Sequence, residues 1–167
     1  MKLSHSKLMM ISGLVWFGIG VYLLQLGLNL LIGGLQNSDA SSHYPLLKTL
    51  APYAGSIEAA ILVLVVVALF IGYFKGRYVL GKSAQKGADR IRSFPNPAPL
   101  QHIYSPKYYL LLGGMVALGI SIKYLGLSND VRGLIDAIIG SALINGAMIY
   151  FRLAQAARVR VGVDIKK

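Results

Sequence analysis

The sequence predicts an all-α membrane protein with four transmembrane helices and both termini on one side. Three observations predict it. The chain is 55% hydrophobic and only 14% charged, against roughly 25% charged residues in a soluble domain. The missing charge is removed in blocks, each able to supply the roughly 20 apolar residues that cross a bilayer. The basic residues then sort almost entirely to one side of those blocks.

The first block, Leu8 to Ser38, holds no Asp, Glu, Lys or Arg. It predicts a span over 8–32. It is too long for the apolar region of a signal peptide, and no small-residue cleavage site closes it, so a retained helix is expected. The second span is expected over 56–74, with Glu58 its only charge. Its run LVLVVVALF is bulky and β-branched, which suits a lipid-facing surface. The third is expected over 108–127, with Lys123 alone, and the fourth over 134–151, with Asp136 alone. All four form one transmembrane domain covering 1–167.

Between the spans the composition changes. Gly33 to Gly55 contains QNSDASSHYP and predicts a mobile surface loop. Ser128 to Gly133 is short, and Asn129 and Asp130 are turn formers and helix caps, so a tight hairpin is expected there. The connection 75–107 is basic. Residues 78–92 predict a helix continuous with the second span, and Lys82, Lys86 and Arg90 share one face at a spacing of four. Pro95, Pro97 and Pro99 then impose an extended piece.

Fourteen of the seventeen Lys and Arg residues fall in the N-terminal tail, the 75–107 connection and the C-terminal tail. Lys and Arg resist translocation, so this side is expected to be cytoplasmic, in a cell (inner or plasma) membrane crossed several times. The net charge of +11 therefore points to anionic lipid rather than nucleic acid. Lys82, Lys86, Arg90 and Arg92 are the expected lipid contacts, at roughly 1 kcal/mol per basic residue near the surface.

The glycines carry a second pattern. Gly13, Gly20, Gly27 and Gly34 are seven apart, as are Gly119, Gly126 and Gly133. Overlaying Gly20 on Gly119 superposes Leu26-Gly27-Leu28 on Leu125-Gly126-Leu127. Ile57-Glu58-Ala59 then matches Ile135-Asp136-Ala137, and Tyr73-Phe74-Lys75 matches Tyr150-Phe151-Arg152. Two parallel helical hairpins about a pseudo-twofold along the membrane normal are expected. Gly20, Gly27, Gly119 and Gly126 are the candidate packing residues. In lipid, helices associate through close backbone approach at small residues rather than through the hydrophobic effect.

Polar groups at membrane depth need a reason. Asn145 suits an interhelical hydrogen bond, worth about 0.6–2 kcal/mol in membranes. Glu58 and Asp136 sit in first turns, where the helix dipole favours a carboxylate. Lys123 is placed to snorkel outward.

Cysteine is absent, which excludes disulfides, thiolate catalysis and Cys-based metal centres. His5, His43 and His102 lie on separate segments without ligand spacing, and no GxSxG, HExxH or Walker motif occurs. No catalytic, metal or cofactor residue is therefore assigned. The expected function is a non-enzymatic subunit or assembly protein, with membrane lipid and a homo-oligomer or membrane complex as partners. A small oligomeric transporter or channel is the alternative. A lipid-modifying enzyme, drawing on Asp89 and His102, is the third reading.

Overall fold

The computed structural model describes residues 2–36, 43–95, 98–99, 121 and 124–164, with 2, 98–99 and 159–164 by backbone only. Among the described residues the architecture is helical apart from one two-residue strand pair, and three helical segments are long and apolar enough to cross a membrane. Helix α1 is His5–Gln36, α2 is Pro45–Ala54 and α3 is Ile57–Lys75. A π-helical turn, Gly76–Leu80, joins α3 to α4, Gly81–Arg92, and α5 is Asn129–Asp164. Two-residue strands, β1 (Lys2–Leu3) and β2 (Ala98–Pro99), pair antiparallel with Leu3 opposite Ala98. Most of the span expected over 108–127, with Gly119 and Lys123, lies outside the described residues.

Helices α1 and α5 form the backbone of the bundle. Gly13 lies beside Tyr150 and Phe151, Gly20 beside Gly140 and Ile144, and Gly27 beside Gly133 and Ala137. Rising numbers meet falling ones, so the helices run antiparallel. The approach is backbone to backbone. A Cβ on Gly27 would stand 2.6 Å from both the Ala137 nitrogen and the Gly133 oxygen, and one on Gly140 would stand 2.5 Å from the Leu24 nitrogen. Such spacing gains dispersion contact along the whole seam, which branched side chains would prevent.

Helix α3 packs on another face of α5. Its buried row steps by four through Ala60, Leu64, Ala68 and Gly72 to Gly76, and the opposite side exposes Leu62, Val66 and Phe70. The β-branched run is thus one-sided. A five-residue step across the π turn then leads to Gly81, with Ala84, Ala88 and Ile91 following. The wider π turn inserts one residue, and α4 keeps its small face buried beyond it. At that end Trp16 and Tyr150 meet edge to face, with centroids 5.5 Å apart, among Leu8, Met9, Ala84, Ala88, Leu143 and Ala147.

Three expectations need correction. Residues 45–54 of the first long connection are helical, not loop. Pro45 opens this helix, where a missing N–H costs nothing. Gly55 closes it at φ +90°, a conformation that suits glycine. The fourth apolar segment is the middle of a helix running from 129 to 164, because AQAARVR continues it with good helix formers. The first helix likewise outruns 8–32 at both ends.

Candidate functional site

Cationic residues line the stretch from Lys75 to Arg92, which runs from the level of Ala142 and Asn145, faced by Gly76, to the end of the bundle where α1 begins. Lys82, Lys86 and Arg90 are exposed along α4, and Arg92 beside them pairs with Asp89 at 3.3 Å. Lys75 and Arg77, at the junction with the π turn, are exposed too. Between Lys75 and Pro95 six cations face one acid, Asp89. The cations of α4 face outward because its opposite side buries Gly81, Ala84, Ala88 and Ile91. An amphipathic helix of this kind offers charge on one side and a seat on the bundle on the other.

The seat is fastened at several points. His5 Nε2 lies 3.0 Å from the Phe94 carbonyl oxygen, and the Ser6 hydroxyl donates to the Ala154 carbonyl at 2.8 Å. Ser93 closes α4, its hydroxyl donating to the Arg90 carbonyl at 2.8 Å. Arg90 and Arg92 in the last turn also complement the helix dipole. Upstream, Arg77 donates to the Tyr73 hydroxyl at 2.9 Å, with its guanidinium 5.9 Å from that ring's centroid. Phe70, Phe74 and Tyr78 continue as an aromatic row, with successive centroids 4.8 and 5.9 Å apart. Aromatic rings next to basic residues are the pattern of a membrane–water interface.

The polar residues singled out from the sequence are dispersed. Asn145 donates from Nδ2 to the Ser141 carbonyl of its own helix at 2.9 Å, so its amide bond is intrahelical. Its Cβ lies against Gly76, where a glycine Cβ would come within 2.7 Å. Ser141 crosses to α3, its hydroxyl 3.4 Å from the Leu69 carbonyl. Glu58 is exposed in the first turn of α3, which Ser56 caps by accepting from the Ala59 N–H at 3.1 Å. Asp136 is buried, one turn from Arg132, whose Nε is buried without a hydrogen-bond partner among the described residues. Gly20 and Gly27 lie in the α1–α5 seam, whereas Gly126 lies in a turn at φ +63°. That position needs glycine for its backbone conformation, which differs from the helical place that the repeat assigns it.

One residue with a strong structural role was not singled out as a site. Asp130 is fully buried and accepts from the Leu46 and Leu47 N–H groups at 2.6 and 3.1 Å, and from its own neighbour Val131 at 2.8 Å. It therefore caps α2 across the fold while holding the start of α5. The Asn129 N–H adds a bond to the His43 carbonyl at 3.0 Å.

These features define a class: an all-helical protein with helices suited to crossing a membrane and a cationic helix seated at one end. The chain matches no family model, no curated protein and no solved structure.

Proposed function

We propose that the chain is a four-span protein of the cell membrane, with both termini and the basic connection in the cytoplasm. In this reading it is a non-enzymatic subunit or assembly protein whose basic face holds anionic lipid. The observation that carries it is α4. Directly after an apolar helix, it turns exposed Lys82, Lys86 and Arg90 away from a buried small-residue face. In this reading those cations attract anionic headgroups. The seams support a packing role rather than transport, since α1 and α5 are closed on each other by backbone contact at Gly20, Gly27, Gly133 and Gly140.

Topology is tested in this Cys-free chain with single cysteines at Ser41 and Ala98. A membrane-impermeant thiol reagent added to intact cells is expected to label the first and spare the second. The reverse pattern would overturn the orientation of every span. Lipid binding is tested by replacing Lys82, Lys86 and Arg90 together with Gln. At roughly 1 kcal/mol per residue, anionic-lipid affinity is expected to fall on the order of 100-fold. Native mass spectrometry would count retained anionic lipids. Unchanged retention with topology intact would leave the charges a purely topogenic role.

A further inference from the structure

Among the described residues, α5 covers one side of helix α1 along its length. Trp16, Gly20, Gly27 and Leu31 are buried on the filled side. The other side carries Val15, Gly18, Tyr22, Gln25, Asn29 and Ile32, all exposed. Their spacing alternates three and four, the register of a left-handed helix–helix seam. At 3.6 residues per turn, Gln25 stands half a turn round from Trp16, and Asn29 half a turn round from Gly20. The open row is thus diametrically opposite the filled one.

Two carboxamides on that row set it apart from an ordinary lipid face. Gln25 and Asn29 fall inside the charge-free run Leu8 to Ser38, where hydrocarbon offers an amide nothing to bond. An amide both donates and accepts, so an identical amide satisfies it. A second copy of α1 brings the same two amides at the same two heights. Gly18 on the same row leaves room for two backbones to approach.

We infer that α1 is the interface of a parallel homodimer, in which Gln25 meets Gln25 and Asn29 meets Asn29 across a twofold along the membrane normal. The contact is isologous, each copy presenting the same row to the other. This inference rests on the membrane-spanning reading of α1.

Single cysteines at Gln25, Asn29 and, as a control, the exposed Val66 of α3 test it in native membranes under mild oxidation. The first two are expected to give a disulfide dimer on a non-reducing gel, and the third is not. The double variant Gln25→Leu, Asn29→Leu, free of cysteine, is expected to weaken dimerisation at least tenfold in mild detergent, read by light scattering. A wild-type mass of one chain, with no cross-link at 25 or 29, would overturn the dimer. Intramolecular linkage of Asn29→Cys to a cysteine at Ser121 would also overturn it, by assigning the row to this chain's own 108–127 segment. Labelling of either single cysteine by an impermeant aqueous reagent would overturn the membrane reading of α1 along with the dimer. A monomer whose cysteines stay unlabelled would overturn the dimer alone.

Discussion

Gly27→Leu is expected to lower stability by about 3 kcal/mol, the upper end of the overpacking scale. The size follows from what the new side chain meets. A Cβ alone would stand 2.6 Å from the Ala137 nitrogen and the Gly133 oxygen. Neither obstacle is the free end of a flexible side chain, so relief requires moving helix α1 off helix α5. Separation at one point forfeits dispersion contacts at its neighbours, because Gly20 and Gly140 belong to the same seam. Gly140→Leu, facing Gly20 and Leu24 from the other helix, is expected to cost a similar amount. The double variant should cost less than the sum, since one displacement relieves both. Val66→Leu, on an exposed face of α3, is the control and should melt like wild type. Gly126→Leu separates two accounts of the repeat. At φ +63° it should cost about 1–2 kcal/mol through backbone strain, without disturbing the α1–α5 seam. Thermal melting of all five variants in one detergent checks these values. Wild-type-like melting of Gly27→Leu and Gly140→Leu would remove the close-packed seam from the account of stability.

The glycines also show how far the sequence could be read. Spacing by seven marks Gly20 and Gly27 as one face of a helix, and that face is buried. Spacing within one helix carries no information about which helix lies opposite. The repeat pairs these residues with Gly119 and Gly126 as equivalents, while the observed partners are Gly133, Ala137 and Gly140 of α5. The cationic helix was legible because its period and its connection to the second span are both local. The π turn was not, since a glycine at 76 or 81 by itself only weakens a helix. Their use appears only against Ala142, Asn145 and Ile149. Helix α2 carried its own signals, Pro45 at the start and Gly55 at the end, but Pro52 inside it and the polar run before it argue for loop. What stabilises that short helix is a carboxylate more than eighty residues away in the chain, which no window of sequence can contain.

That carboxylate makes Asp130→Ala the second substitution with a large expected effect. Asp130 is fully buried and accepts three backbone N–H bonds, two of them from the first turn of α2. An N-cap replaced by Ala typically costs about 1 kcal/mol. Here one side chain serves two helix starts, and its removal leaves the Leu46 and Leu47 donors without their acceptor. Hydrogen bonds to a charged group are worth roughly 1.5–3 kcal/mol, so a loss of about 3 kcal/mol is expected. Asp130→Asn keeps one acceptor oxygen and should recover part of it. The damage should also be local. Leu47 packs with Leu31, Ala60, Ile61 and Leu64, so α2 is held by this cluster as well as by the cap. Loosening the cap should speed hydrogen exchange at amides 46–51, while amides in the α1–α5 seam keep their protection. Mass-spectrometric hydrogen exchange on wild type, Asp130→Asn and Asp130→Ala would read this as a graded series. Equal protection of α2 in all three would mean that apolar contact alone holds it, and that the buried carboxylate serves only the start of α5.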